Sequence, residues 1–312
     1  MRNNEVVIII NAAANGGKAR GKWERIKKEV LAHFKGKVTI QEYVPPFDLK
    51  AYLKGCARAG IRQFIAGGGD GTLNYTANIL YELERGKFLE DYVLGALGLG
   101  SSNDFFKPRS RSFHDIPVRI DLEKARRSDR GRVCITNAQK EITQRVFLVN
   151  AGLGVTSNAN YLFNNPDPLI GFLKPRATSL AILLTALQTI FRHTNKTIDL
   201  LVHGSVSRVA MSNLSITLIP FISGSFRYKE HRETEGVFDL YLCRDMGRME
   251  LLRTLVALSR GAFRAGKHRM ITTARTVAIR SGEDIPLEVD GEIFMGSAFQ
   301  FEIDHHAIRL AI

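Results

Sequence analysis

Residues 66–74 read Ala66-Gly67-Gly68-Gly69-Asp70-Gly71-Thr72-Leu73-Asn74. The run leaves a short apolar strand, Arg62 to Ala66, and enters a segment where Leu73, Ala77, Leu80 and Leu83 recur at helical spacing. Glycines at such a strand-to-helix turn let backbone N–H groups approach an anion closely, and the helix N-terminus adds partial positive charge. Asp70 is costly in that setting unless it meets a cation, a hydrogen-bond donor or a water held by Mg²⁺. Thr72 suits a helix cap or a phosphate contact. The string fits neither GxxxxGK[ST] nor GxGxxG, yet it holds more glycine than a bare turn needs.

Outward from this loop, the first hundred residues alternate between strand and helix. Val6 to Ile10 is a continuous β-branched run, as in a strand buried on both faces. Lys18 to Lys35 carries Trp23, Ile26, Val30 and Phe34 at helical spacing. A strand from about Val38 to Val44, a helix from Leu49 to Ala59 and a strand from Val93 to Leu99 complete the series. The order implies an α/β unit, a doubly wound, mostly parallel sheet whose ligands gather at the carboxyl ends of the strands. After about Pro117 the pattern changes to a basic, polar stretch and then to short alternating segments, which suggests an antiparallel, β-sandwich-like second domain. The expected domains are 1–118 and 119–312, with the last residues returning to the first. Two helices, near Ala177 to Arg192 and near Glu250 to Phe263, interrupt the second; the former reads as a core helix.

Two further strand ends resemble the first in chemistry. Asn11-Ala12-Ala13-Ala14-Asn15-Gly16-Gly17-Lys18 pairs small residues with a lysine able to reach a phosphate. Gly98-Leu99-Gly100-Ser101-Ser102-Asn103-Asp104-Phe105 adds glycine, hydroxyls, Asn and Asp. Three such loops at one sheet edge suggest one nucleotide site. Far along the chain, Leu287-Glu288-Val289-Asp290-Gly291-Glu292 is by itself an ordinary turn, and Glu292 becomes a candidate base only if folding brings it to the Gly67 loop.

Composition narrows the partners. The 312 residues are 45% hydrophobic and 24% charged, in the range of an ordinary globular chain, and 44 Lys and Arg against 31 Asp and Glu give a net charge of +13. Such a balance favours nucleic acid, phosphates or an acidic membrane face. Three scattered cysteines fit reduced thiols in a cytosolic protein. The apolar run near the N-terminus is too short for a signal peptide, and no stretch is long enough to span a bilayer. His305-His306 reads as a loop and a poor metal motif.

Taken together, Gly-Gly-Gly-Asp-Gly-Thr followed by Leu-Asn, the early Asn11 to Lys18 loop, the Gly-Ser-Ser-Asn-Asp-Phe loop and the late Asp-Gly-Glu resemble the diacylglycerol kinase catalytic family. That group includes bacterial diacylglycerol kinases, related lipid kinases and sphingosine kinases. Phe147-Leu-Val-Asn150-Ala-Gly-Leu-Gly154 and Glu235-Gly236-Val-Phe-Asp239 look like its second-domain landmarks, so the resemblance covers essentially the whole chain. NAD kinases and phosphofructokinases share a related Gly-Gly-Asp-Gly loop, and the fold expected is of their kind. The resemblance implies MgATP-dependent phosphorylation of a lipid hydroxyl, diacylglycerol or a relative, with a place in phospholipid biosynthesis. Gly68, Gly69, Asp70, Gly71 and Thr72 then match the phosphate and metal loop, with Asp70 as metal-binding and catalytic residue. Asn11, Gly16, Gly17 and Lys18 match the first nucleotide loop, and Ser101, Asn103 and Asp104 the third. Glu292 matches the general base, with Asp290 beside it.

The chain departs from the family pattern at several positions. Ala12 stands for a proline, Asn15 for a glycine, Tyr75 for a glutamate and Gly98 for a proline. The landmark at Glu235-Gly236 differs within the odd stretch 229–235, which puts a structural metal there in question. The nucleotide loops keep their key residues, while the lipid site diverges. From Leu251 to Gly282 there is no acid among seven basic residues, which suits peripheral contact with an anionic membrane at the inner, cytoplasmic face. A homodimer is compatible with the sequence, and nucleic acid is disfavoured because this stretch lacks interleaved aromatics. Two other readings stay open: an NAD kinase-like enzyme, and a non-catalytic regulator that binds nucleotide or anionic lipid.

Overall fold

The computed structural model describes residues 3–84, 89–108, 110–174, 176–224, 226–228 and 235–312. It divides into two compact units, one of residues 1–130 with 305–312 and one of residues 131–304.

In the first unit, β1 (Asn3–Asn11), α1 (Lys18–Ala32), β2 (Val38–Tyr43), α2 (Leu49–Arg58), β3 (Ile61–Gly68), α3 (Asp70–Leu83) and β4 (Leu89–Gly98) follow one another. The strands lie in the order β2-β1-β3-β4 and pair in parallel, with Ile8 opposite both Ile40 and Ile65, and Ile65 opposite Gly95. Val6 to Ile10 are buried because this strand is central and helices cover the sheet; α1 contributes Trp23, Ile26 and Val30 to the core on one side. Asp48 caps α2 by accepting from the Ala51 N–H at 2.8 Å.

The sheet is mixed. Beyond β4 the chain forms the hairpin β5 (Arg111–Phe113) and β6 (Ile116–Arg119), and β6 runs antiparallel to β4, Leu97 opposite Val118. Among the described residues the connection from Gly98 holds no α-helix, and the chain comes back in the opposite sense. Residues 308–310 then return to pair in parallel with β4, and the Ala311 N–H donates to the Leu94 carbonyl at 3.0 Å. The first compact unit thus runs to residue 130 and takes in residues 305–312. Ile120 and Leu122 are buried in the first unit's core. Arg130, 1% exposed, lies with its guanidinium 4.6 Å from the centroid of the Tyr81 ring. The basic stretch containing Arg126, Arg127, Arg130 and Arg132 is a strand, β7 (Arg126–Thr136).

The second unit continues with β8 (Ile142–Phe147), β9 (Asn150–Gly154), α4 (Val155–Asn164), α5 (Pro168–Leu173), α6 (Thr178–Arg192), β10 (Lys196–Val202), β11 (Ser205–Thr217), a small hairpin of β12 (Phe221–Ile222) and β13 (Phe226–Arg227), β14 (Phe238–Arg244), α7 (Arg248–Ser259), β15 (Arg269–Ala274), β16 (Thr276–Val289) and β17 (Glu292–Leu310). Its strands pair antiparallel, in the order β15-β14-β11-β10-β16-β17, with β9 also bonded to β11 and β16. Alternate residues such as Ile198, Leu200, Leu214, Ile216, Val277 and Ile279 build its core. Thr276 to Arg280 and Leu287 to Val289 belong to one strand, with a register shift between Arg280 and Ile285.

Two expectations fail here. His305 and His306 lie within β17, not in a loop; His306 takes φ 51°, and their rings stack 3.8 Å apart, with Asp129 accepting from the His306 N–H at 2.9 Å. Helix α6 is a core helix only in part: Ile190 is buried and Leu184 and Leu187 are half-buried, while Leu180 and Leu183 are exposed. Among the described residues, no helix is long and apolar enough to cross a membrane.

Candidate active site

Three loops leave the carboxyl ends of β1, β3 and β4, and the structure joins them. At the end of β1 the Asn11 side chain donates to Thr72 Oγ1 at 3.2 Å and accepts from the Ala13 N–H at 3.2 Å. Asn15, Gly16 and Gly17 then take φ 54°, 63° and 85° in succession. Asparagine is among the few residues with a side chain that tolerate this region, which explains Asn15 where glycine is usual. Lys18 opens α1 and is exposed.

At the end of β3, Gly69 is the N-cap of α3, Asp70 and Gly71 open the helix, and Thr72 lies inside its first turn. Thr72 is therefore not the cap. It is 7% exposed, and its carbonyl accepts from Thr76 Oγ1 at 2.9 Å. Gly68 is obligatory, since a Cβ there would run into the Thr72 side chain.

The third loop locks onto the second. Asp70 accepts the Asp104 N–H on Oδ2 at 2.9 Å and the Phe105 N–H on Oδ1 at 3.0 Å. Withdrawal from water, and then the nearby Asp104 carboxylate, push Asp70 up from 3.8 to about 6, against the pull of these two amides and of Lys107. Asp104 is itself buried and paired with Lys107 at 2.6 Å. The Gly100 N–H donates to the Gly68 carbonyl at 2.8 Å, and a Cβ on Gly100 would strike the Gly69 backbone. Asn103, at φ 51°, donates to the Gly98 carbonyl at 3.0 Å, while its Oδ1 is buried without a partner among the described residues. Ser101 is exposed. Gly98 replaces the usual proline where the Pro117 ring occupies the place of a side chain. Nothing in the structure explains Ala12 or Tyr75.

Lys22 was not singled out in the sequence. Its Nζ donates to the Gly100 carbonyl at 2.7 Å, bringing α1 to the third loop. Burial, then Lys18 and Arg25, lower its pKa. Its position four residues after Lys18 on one helix face was the available signal.

In the second unit, the three late acids have different surroundings. Asp290, 4% exposed and at φ 46°, accepts the N–H of Leu148 on Oδ2 at 2.7 Å and those of Val149 and Asn150 on Oδ1 at 3.0 and 2.9 Å. It ties the Phe147 to Gly154 landmark to the β16–β17 hairpin. Glu288 accepts the Gly291 N–H. Among the described residues no hydrogen bond engages the Glu292 carboxylate, and burial raises its pKa despite the opposing Arg145. The structural-metal question at 229–235 falls mostly on residues 229–234, outside those described.

The chain matches the family profile of the diacylglycerol kinase catalytic domain over residues 5–111, and that of the YegS C-terminal NAD kinase beta sandwich-like domain over residues 155–312. It is 26% identical to a diacylglycerol kinase of Bacillus subtilis strain 168 over 241 residues, 75% of this chain and 73% of that one. A crystal structure of a diacylglycerol kinase from Bacillus anthracis strain Sterne superimposes with a TM-score of 0.68 at 16% identity, covering 100% of this chain and 97% of the other. A second structure from that organism gives a TM-score of 0.70 at 17% identity, covering 100% and 98%. At such identities the likeness is one of fold.

Proposed function

The chain belongs to the family that couples a diacylglycerol kinase catalytic domain to a YegS-type C-terminal domain, and from that premise we propose that it transfers the γ-phosphate of MgATP to the hydroxyl of a lipid, diacylglycerol or a relative. The observation that carries this reading is the union of three strand-end loops in the first unit, through Asn11–Thr72, Asp70 with the amides of Asp104 and Phe105, and the Gly100 carbonyl.

The residues fit a nucleotide. The amides at the start of α3 and the cations Lys18 and Lys22 suit phosphate oxygens. The orphan acceptor Asn103 Oδ1 suits an amino or hydroxyl donor of the nucleoside, since a phosphate oxygen has no proton to give. Mg²⁺ fits at Asp70: each oxygen accepts one N–H and keeps a lone pair for a water of the ion's shell. Bound there, the ion would neutralise phosphate charge as it develops.

Glu292 is the proposed general base. Of Glu288, Asp290 and Glu292, it alone is not held by a backbone amide among the described residues, and its burial makes it more basic. It takes the proton of the attacking hydroxyl as that oxygen bonds to the γ-phosphorus and the bond to the β–γ bridging oxygen breaks, so that the phosphorylated lipid and ADP are the products. Peripheral contact with the inner membrane face is proposed as well, since Arg253, Arg260, Arg264, Lys267, Arg275 and Arg280 are all exposed.

The test is transfer of labelled γ-phosphate from MgATP to a total lipid extract, with Glu292→Gln as control and NAD assayed in parallel. An organic-soluble labelled product made only by the wild type supports the assignment, and mass spectrometry names the lipid. Labelled NADP without a lipid product would move the protein to the NAD kinase-like reading. Neither product, with ATP still bound, would leave a regulator.

A further inference from the structure

Helix α6 turns large apolar side chains outward, although Leu184 and Leu187 are half-buried. Its buried face carries Ala181, Thr185, Ala186, Thr189 and Ile190, while Leu180, Leu183 and Phe191 are 46%, 44% and 53% exposed. The two buried threonines satisfy their hydroxyls within the helix, each donating to the carbonyl four residues back at 2.8 Å. A helix at a water-facing surface normally has the opposite arrangement. The inversion extends to its neighbours. On α5, Ile170 is buried while Leu169 and Phe172 face outward. On α7, which packs against α6, Met249, Arg253, Val256 and Arg260 are exposed and fall on one face at spacings of three and four.

Charge identifies the occupant. From residue 168 to 198 there is no acid, while Lys174, Arg176, Arg192 and Lys196 are basic. The Arg176 guanidinium lies 4.1 Å from the centroid of the exposed Phe172 ring, so a cation and an apolar group reach the surface together. A second copy of this chain would bring like charges face to face. An anionic lipid surface supplies both an apolar interior and a negative boundary.

We propose that α5, α6 and α7 form a bilayer-docking face, whose Leu, Phe and Met side chains enter the acyl boundary while its arginines meet headgroup phosphates. This deepens the lipid-kinase reading and rests on it for its purpose, but the binding itself is measured without turnover.

The experiment is co-sedimentation of the full chain with vesicles of phosphatidylcholine alone, or of phosphatidylcholine with phosphatidylglycerol. Preferential, salt-sensitive binding to the anionic vesicles is expected. The double variant Leu183→Asp, Phe191→Asp should lose at least roughly tenfold in partitioning, given the depth-dependent cost of placing charge at the apolar boundary. It should keep its melting temperature and its transfer to a short-chain lipid alcohol dispersed as monomers. In Leu183→Trp the added emission should shift blue on anionic vesicles and be quenched by brominated acyl chains. Undiminished binding by the folded double variant would overturn the proposal, as would a wild-type dimer in lipid-free buffer that the same variant dissociates. Loss of vesicle binding in the variant supports the docking face even where the phosphotransfer assay fails, so the two readings fail separately.

Discussion

Replacing Asp70 by asparagine should make the protein more stable and inactive at once. The carboxyl is raised from 3.8 to about 6, which at about 1.4 kcal/mol per pH unit amounts to about 3 kcal/mol against the ionised form in the folded state. A group whose folded pKa is raised contributes stability that is complete below its unfolded value and is lost as pH rises through the folded one. The wild type therefore carries the penalty in full above pH 6 and sheds it as pH falls toward 4. Asparagine is the neutral isostere, with one acceptor and one donor. It can still accept from one of the two amides, Asp104 or Phe105, and losing the other costs about 1 kcal/mol. At pH 8 the net gain should be about 2 kcal/mol, vanishing or reversing near pH 4. Urea unfolding of both proteins at pH 8 and pH 4 reads this directly, and phosphoryl transfer should be lost throughout. A variant less stable than the wild type at pH 8, or a difference that ignores pH, would refute the reasoning and show that the two amide bonds outweigh the buried charge.

Glu292→Gln should lower kcat roughly 10²- to 10⁴-fold while raising rather than lowering the melting temperature at neutral pH, because burial disfavours the carboxylate and no hydrogen bond to it is broken. The wild-type rate should fall with decreasing pH at a value above the ordinary 4.5 of a glutamate, since burial raises this group and the base must be ionised; a limb at or below 4.5 would count against it. Asp290→Ala strips three amides of their acceptor and should cost about 3 kcal/mol or more. Faster hydrogen exchange at residues 148–150 is the check. Gly68→Ala drives a Cβ into Thr72 and should cost roughly 1–3 kcal/mol together with nucleotide affinity, measured by thermal melting with and without ATP.

Much of the first unit was legible because its signals are local. The β-branched run Val6 to Ile10, the spacing of Trp23, Ile26 and Val30, and the glycine loop each carry their own period or backbone demand. What escaped depends on distant partners. Nothing near Asp70 in sequence says that its two oxygens would be taken by amides 34 and 35 residues away. Asp290 and Glu292 sit in one turn and look alike, yet the chain at 148–150 occupies one and leaves the other. The reading of α6 as core followed from its leucines, which the period places on a face but cannot assign to the inside. Lys22 was hidden because a basic helix face is ordinarily solvated.

The return of residues 305–312 to the first unit has a bearing on how the chain acquires its structure. β4 receives the pairing of residues 308–310 only after the whole of the second unit has been synthesised. On a ribosome the α/β unit would wait, incomplete at that strand, while some 170 residues emerge. Maturation of the two halves is thus bound into one event, and a chain stalled or clipped before residue 305 would present β4 unpaired at Leu89, Val93 and Leu94 to any neighbour able to add a strand.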